Sequence, residues 1–161
     1  IQRLIHLCRE KGVFVAVDPG KGKPAYLYQG ASLLKPNYLE AKELVHSMGY
    51  EQCPIEKMGE ILIDKLSLDR VVITLGHRGM AMWDKKEGYN QIPTVAQEVY
   101  DVSGAGDTVI SVITAGIVNG LTLLDACWLA NIAAGVVVSK KGTAVVNTDE
   151  MLKLFNKLNI N

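Results

Sequence analysis

Val71-Val72-Ile73-Thr74-Leu75-Gly76 determines the class of fold, because it is an almost uninterrupted apolar run that ends at a glycine. Such a run is typical of a strand buried on both faces of a parallel sheet. The run from Val13 to Val17, followed by Asp18-Pro19, has the same pattern. Helical patterns separate the two runs, and this alternation predicts an α/β domain with helices on both faces of a mainly parallel sheet.

The spacing of apolar residues predicts the helices along the rest of the chain. They are expected at residues 1–11, 37–45, 55–66, 105–118, 121–138 and 151–158. Asn37 is a good N-cap for the second helix, and Thr148-Asp149-Glu150 caps the last one. A short strand is expected at 31–35, and the strands Met80–Trp83 and Gln91–Val95 predict a hairpin around a turn at 85–90.

The composition favours a globular protein of balanced charge. The 161 residues carry 17 basic and 17 acidic side chains, so the formal net charge is zero. Without a basic cluster there is no reason to expect nucleic acid or an anionic membrane as a partner. Cys8, Cys53 and Cys127 are too widely spaced to predict a zinc site with the three histidines. We expect a cytoplasmic protein, because the sequence shows no membrane span and no signal peptide.

The first residues indicate that the sequence starts inside a larger protein. Ile1 is not a methionine, and it falls within the first amphipathic helical pattern. The chain contains no internal repeat, low-complexity tract or linker. Residues 1–161 are therefore expected to form one partial domain.

The segment Asp101-Val102-Ser103-Gly104-Ala105-Gly106-Asp107-Thr108 carries the predicted chemistry. Gly104, Ala105 and Gly106 lack bulky side chains, and their amides would open a helix, where unpaired N–H groups form an anion site. Asp107 falls in the first turn of that helix. Its carboxylate would repel a bound phosphate, so a base that accepts a proton from an attacking hydroxyl explains it better.

Two common phosphate-binding motifs do not fit this segment. A dinucleotide fingerprint requires a small residue where Val109 stands, and a Walker loop requires Gly-Lys followed by Ser or Thr. A purely structural role stays open. In that case Ser103 caps the helix, the glycines form a tight turn and Asp107 favours the helix dipole.

The segment closely resembles the second signature of the ribokinase-like (PfkB) sugar kinases, which ends in Gly-Ala-Gly-Asp-Thr. The resemblance implies the C-terminal half of a three-layer α/β/α kinase domain that uses ATP. It puts the catalytic base at Asp107 and the anion hole at the amides of Gly104, Ala105 and Gly106. In the family the N-terminal half supplies the substrate contacts, the lid and usually the dimer contacts. The resemblance therefore implies an inactive isolated chain and a homodimeric full-length protein.

The resemblance also implies a site for the nucleotide and its metal. Asn37-Tyr38-Leu39-Glu40 is similar to the family's Asn-x-x-Glu element, which organises Mg²⁺ and phosphate. An amide and a carboxylate one helical turn apart share a face and suit a hydrated cation. The structural alternative is a helix cap at Asn37 with a solvated Glu40 that favours the helix dipole.

Further positions match regions of the family around the nucleotide. Thr74 and Gly76 resemble the strand end beside it, and Asn131 and Gly142 resemble the region that walls the adenine. Small residues near Asn131 would equally allow close helix packing, so this assignment stays open. The family's monovalent-cation site implies K⁺ near Asp101 and Ser103, as an addition to ATP and Mg²⁺.

Longer stretches, from about Val13 to Val146, resemble the bacterial heptose 7-phosphate kinases of lipopolysaccharide-precursor synthesis. Among them are Leu34-Lys35-Pro36-Asn37, Glu98-Val99-Tyr100 and the helix residues 130–138. The resemblance implies phosphorylation of D-glycero-β-D-manno-heptose 7-phosphate to the 1,7-bisphosphate. The alternatives are another sugar or nucleoside kinase of the family, such as a ribokinase or fructokinase, and a non-catalytic nucleotide-binding module. The intact Asp107 counts against the last of these.

Overall fold

The computed structural model describes residues 1–96 and 98–158, which form two compact units. Unit 1 comprises Ile1–Leu75 and Ala81–Gln91, and unit 2 comprises Gly76–Met80 and the residues from Ile92 onward. The helices and strands are α1 (Gln2–Glu10), β1 (Ala16–Val17), β2 (Leu33–Leu34), α2 (Tyr38–Ser47), α3 (Ile55–Leu66), β3 (Arg70–Thr74), β4 (Met80–Asp84), β5 (Gly88–Ile92), α4 (Ala105–Val118), α5 (Leu123–Val138) and α6 (Thr148–Lys157). That residues 1–161 form part of one domain remains a prediction.

A five-stranded sheet with the order β1-β2-β3-β4-β5 organises unit 1. β1 pairs with β2 and β2 with β3, both in parallel, so that Val17 lies opposite Leu34 and Leu34 opposite Val71. The central strand β3 is buried as predicted, since its residues from Val71 to Ile73 are fully covered. The predicted α/β class with parallel strands is confirmed.

The prediction of a strand buried on both faces at Val13–Val17 is wrong. The strand β1 covers Ala16–Val17, both partly exposed, and the side chain of Val13 is 54% exposed. Within the described residues β1 pairs with β2 on one side and has no strand on the other. In this chain the apolar run therefore lies at the edge of the described sheet, where it is only partly covered.

The hairpin is formed, but its second strand starts earlier than the predicted Gln91–Val95. β5 begins at Gly88, which adopts a φ of +79°. The Asp84 carboxylate accepts a hydrogen bond of 2.7 Å from the amide of Lys86. This side-chain-stabilised turn reverses the chain sooner than the sequence pattern indicated.

Trp83 lies at the centre of the unit 1 core. Its indole Nε1 donates to the carbonyl of Glu56 at 3.1 Å, so the one polar atom of the buried ring is satisfied. The ring occupies the space that a side chain on Gly59 would need. Tyr89 packs against it with ring centroids 5.1 Å apart. α3, which carries Gly59, has the predicted bounds because its apolar spacing is regular.

Unit 2 is mainly helical, and α4 packs along α5. A methyl group on Gly116 would stand 3.0 Å from the Cβ atom of Ala126, so the two helices are in close contact there. The bounds of α4 are those predicted. α5 starts two residues later than predicted, because Thr122 caps it by accepting from the amide of Asp125 at 3.1 Å. Among the described helices none has the length and apolar character needed to cross a bilayer.

Helix α6 begins at Thr148, three residues before the predicted start. Asn147 is its N-cap, and its side chain accepts from the amide of Glu150 at 3.0 Å. The Glu150 carboxylate accepts in return from the amide of Asn147 at 3.1 Å. This capping box makes Thr148 a helical residue, so its prediction as a cap is wrong.

Candidate active site

The N-terminus of α4 is shaped by a glycine in the left-handed region. Gly104 is the N-cap with a φ of +80°, a conformation that residues with side chains rarely adopt. A Cβ atom at this position would also stand 3.3 Å from Cγ2 of Thr143. Because the N-cap is Gly104 and no side chain caps the helix, the part of the structural alternative in which Ser103 caps the helix is not realised.

The backbone amides of this turn differ in what they bind. The amide of Ala105 donates to the carbonyl of Val102 at 3.1 Å. Within the described residues, the amides of Gly104 and Gly106 have no acceptor. Gly106 lies in the first turn, where N–H groups point out of the helix at the positive end of its dipole. Two of the three predicted amides are thus available to an anion, whereas that of Ala105 is already engaged.

Asp107 lies in the first turn of α4, one residue beyond Gly106. Its side chain is exposed to solvent, so a bound molecule can reach the carboxylate. Thr108, the next residue, turns its hydroxyl inward and donates to the carbonyl of Gly104 at 3.0 Å. The arrangement puts a carboxylate next to a helix end with two unpaired amides, which is the arrangement that a proton acceptor in phosphoryl transfer requires.

Asp101 joins two loops of unit 2. Its Oδ1 accepts from the amide of Ser103 at 2.9 Å, and its Oδ2 accepts from the amide of Gly142 at 3.1 Å. The hydrogen bonds from Ser103, with a smaller contribution from Gly142, lower the pKa of the Asp101 carboxyl below its ordinary value. Asp101 is thus held as a carboxylate between the two loops. The role of Asp101 and Ser103 in binding a monovalent cation stays a prediction.

In unit 1, Asn37 and Glu40 form a capping box at the start of α2. The Asn37 side chain accepts from the amide of Glu40 at 2.9 Å, and the Glu40 carboxylate accepts from the amide of Asn37 at 2.8 Å. The structural alternative, a helix cap, is therefore realised. It does not remove the functional one, because a carboxylate has four lone-pair sites and the capping box uses one.

Thr74 lies beside this capping box at the carboxyl end of β3. Its amide donates to the carbonyl of Pro36 at 3.1 Å, and Thr74 pairs with Asn37 in a parallel bridge. The structure thus brings together three of the predicted nucleotide-site residues, Asn37, Glu40 and Thr74. Ligands in sheets of this kind bind at the carboxyl ends of the strands.

Lys35 is a residue at this edge whose role the sequence did not reveal. Its side chain is 3% exposed, and its Nζ lies 2.9 Å from the Asp18 carboxylate. Asp18 follows β1 and Lys35 follows β2, so the ion pair joins the carboxyl ends of neighbouring strands. The available signal was a lysine that directly follows the apolar pair Leu33-Leu34. A buried charge needs a partner, and the sequence alone did not show which one.

The remaining predicted residues lie in unit 2. Asn131 is buried; its amide nitrogen donates to the carbonyl of Pro93 at 2.6 Å, and its oxygen accepts from the amide of Val95 at 3.3 Å. Its carboxamide therefore holds the chain segment after β5. Gly76 has a φ of +61° and opens a short 3₁₀ turn, and Gly142 has a φ of +75°. Nucleotide contacts by these residues stay predictions.

No group of three or more His, Cys, Asp and Glu side chains within residues 1–96 and 98–158 is arranged to hold a metal ion. Glu40 and Asn37 supply one carboxylate and one amide. Mg²⁺ usually keeps several waters and is held by one or two carboxylates together with substrate phosphates. The residues present fit a cation that arrives with a nucleotide.

Two solved structures of sugar kinases have a similar fold. Phosphofructokinase-2 from Escherichia coli in complex with potassium matches with a TM-score of 0.84 and 21% identity over 98% of this chain and 51% of that chain. Ribokinase from Thermotoga maritima matches with a TM-score of 0.83 and 21% identity over 95% of this chain and 52% of that one. These likenesses show that the fold is the ribokinase-like α/β fold.

The sequence profile of the pfkB family carbohydrate kinases matches residues 1–150, and the chain belongs to this family. The protein named bifunctional protein HldE from Proteus mirabilis is 44% identical over 151 residues, which cover 94% of this chain and 31% of that protein. The protein of the same name from Vibrio cholerae is 45% identical over the same length. The chain thus spans about a third of the length of these curated relatives.

Proposed function

We propose that the protein carrying this chain transfers a phosphoryl group from ATP to a sugar, with D-glycero-β-D-manno-heptose 7-phosphate as substrate and the 1,7-bisphosphate as product. One observation carries the proposal: α4 starts with the unpaired amides of Gly104 and Gly106, and Asp107 lies in its first turn with an exposed carboxylate. The identity of 44% to a protein named HldE, together with the resemblance to heptose 7-phosphate kinases, supports the choice of sugar.

In this mechanism Asp107 accepts the proton of the anomeric hydroxyl as that oxygen attacks the γ-phosphorus of ATP. The bond between the γ-phosphorus and the β,γ-bridging oxygen breaks, and ADP leaves. The amides of Gly104 and Gly106 donate to the phosphoryl oxygens, and the dipole of α4 stabilises the negative charge there. Mg²⁺, when bound, neutralises charge on the phosphates. Glu40 and Asn37 are the residues that would hold it through water, and their capping box fixes their position. A K⁺ ion near Asp101 and Ser103 is part of the same proposal.

The decisive experiment measures ADP release by the full-length protein with ATP and a panel of heptose 7-phosphate, ribose, fructose and no sugar. We expect turnover with the heptose phosphate. Asp107→Asn should lower kcat by about a hundredfold or more, as expected for the loss of a general base, and leave the Kd for ATP unchanged. The isosteric Asn keeps the shape of the side chain, so it separates proton acceptance from packing.

Each contrary outcome contradicts a stated part of the proposal. Faster turnover with ribose or fructose would replace the heptose phosphate by the sugar of another family member. ATP binding without turnover on any sugar would indicate a non-catalytic nucleotide-binding module. Full activity of the Asp107→Asn variant would remove Asp107 from its role as base.

A further inference from the structure

Lys140 connects the loop between α5 and α6 to the start of α6. The Nζ atom of Lys140 lies 2.6 Å from Oε1 of Glu150 and donates to the carbonyl of Val145 at 2.9 Å. The side chains of Lys140 and Glu150 are 32% and 30% exposed, so water still reaches the ion pair in part. We call the three partners Lys140, Val145 and Glu150 the lysine clamp.

The capping box at the start of α6 orients the Glu150 side chain for its contact with Lys140. The capping box uses Oε2 of Glu150, which accepts from the amide of Asn147 at 3.1 Å. Oε1 is therefore left for Lys140, and one carboxylate makes both contacts. The hydrogen bond from Lys140, followed by that from Asn147, lowers the pKa of Glu150 below its ordinary value. One side chain thus connects the start of a helix to the loop before it.

The clamped loop touches the candidate active site on its other side. The amide of Gly142 donates to the Asp101 carboxylate at 3.1 Å, and the other oxygen of Asp101 accepts from the amide of Ser103 at 2.9 Å. Thr143 faces Gly104, where a methyl group would lie 3.3 Å from its Cγ2. We call residues 101–106, with the amides of Gly104 and Gly106, the anion-binding turn. The loop that contacts Lys140 is therefore the loop that packs against this turn.

We infer that Lys140 is a positioning residue for phosphoryl transfer: it fixes the loop at residues 141–147 on α6 and through Gly142 and Asp101 sets the position of the anion-binding turn. This inference rests on the proposed function of the Asp101–Asp107 segment. Lys140 does not need to touch a substrate for this. A displacement of about 1 Å in a catalytic group is enough to lower a rate substantially.

The test uses the full-length protein with Lys140→Met, Lys140→Arg and Glu150→Gln. Lys140→Met keeps the stem and removes the charge, whereas Glu150→Gln keeps the capping box, since Gln also serves at this position, and removes the ion pair. Lys157→Met is the matched control, because it removes an exposed lysine of the same unit on α6. The readouts are kcat, KM for ATP, and hydrogen exchange of the peptides 101–106 and 142–147.

Lys140→Met should speed exchange in both peptides and lower kcat about ten- to a hundredfold, the effect of a displaced catalytic group. Glu150→Gln should do the same to a smaller extent, and Lys140→Arg should restore most of the rate. The inference would be overturned if Lys140→Met sped up exchange only in peptide 142–147 and had the same kcat as the control Lys157→Met.

Should Lys140→Met not fold, Glu150→Gln and Lys140→Arg carry the test. The exchange readout needs no kinase activity, so a failure of the clamp is distinguishable from a failure of the proposed function.

Discussion

At the scale of the residue, Gly59 shows how tightly the unit 1 core is packed. A Cβ atom there would stand 2.0 Å from Cδ2 of the fully buried Trp83. Gly59→Ala gains about 1 kcal/mol of helix propensity, but overpacking a rigid core costs about 1–3 kcal/mol or more. At so short a distance we expect overpacking to dominate, with a net loss of about 2 kcal/mol in the free energy of unfolding, measured by urea denaturation.

Two variants make this prediction specific. Glu60→Ala, at the neighbouring exposed position, should change stability by less than about 1 kcal/mol, since its contact with Lys57 is a surface ion pair. In the background of Trp83→Leu, the added methyl group of Gly59→Ala has room, so its cost should shrink. A Gly59→Ala variant as stable as the parent would show that the core can yield at this position.

Candidate site residues are recognisable in the sequence when their proposed chemistry depends on neighbouring residues only. Asp107 and the glycines before it are recognisable because the chemistry sits in one short segment. Lys35 and Lys140 are not, because the meaning of each depends on a carboxylate that is distant along the chain, Asp18 or Glu150. The engagement of the Ala105 amide by Val102 was not predictable either, because it depends on the turn that Gly104 imposes.

At the scale of the element, the start of α2 combines a helix cap with a candidate metal site. Glu40→Gln preserves the capping box, so the free energy of unfolding should stay within about 0.5 kcal/mol of the parent value. It removes the charge that would orient the waters of a bound cation, so ATP affinity at limiting Mg²⁺ should fall about tenfold or more. Calorimetric titration of the full-length protein with ATP over a range of Mg²⁺ concentrations measures this.

Asn37→Ala is the complementary variant, because it removes the acceptor for the amide of Glu40. It should cost about 1 kcal/mol of stability, the usual effect of losing an N-cap. If Glu40→Gln left the dependence on Mg²⁺ intact, the two side chains would be a helix cap and no more. The two variants therefore separate the structural role of Asn37 and Glu40 from the metal-binding one.

Elements were predictable to the extent that their own pattern determines them. α3 and α4 have the predicted bounds because apolar and small residues recur at helical spacing throughout. The burial of Val13 to Val17 was not predictable, because it depends on which strand lies alongside. The beginnings of β5 and α6 depend on the turn at Asp84 and the capping box at Asn147, where several polar residues in a row offered competing positions.

At the scale of the whole molecule, the buried thiol of Cys127 makes the free energy of unfolding depend on pH in the alkaline range. It lies on the buried face of α5, and burial raises the pKa of its thiol from 9.0 to about 12. Between these values the unfolded chain releases the thiol proton and the folded chain keeps it. Unfolding therefore becomes more favourable as the pH rises, and this contribution to stability, complete below pH 9, is lost by pH 12.

For one thiol the free energy of unfolding falls by up to about 1.4 kcal/mol per pH unit in this range. This fall adds to the contributions of lysines and tyrosines. Cys127→Ala removes this contribution, so its free energy of unfolding should fall less steeply than that of the parent in guanidinium titrations at pH 9 to 11. At pH 7 the same variant should be slightly less stable, because the smaller side chain leaves a void among the residues of α5. Equal slopes for Cys127→Ala and the parent would mean that the thiol already ionises in the folded protein, and thus that α5 admits water near Cys127.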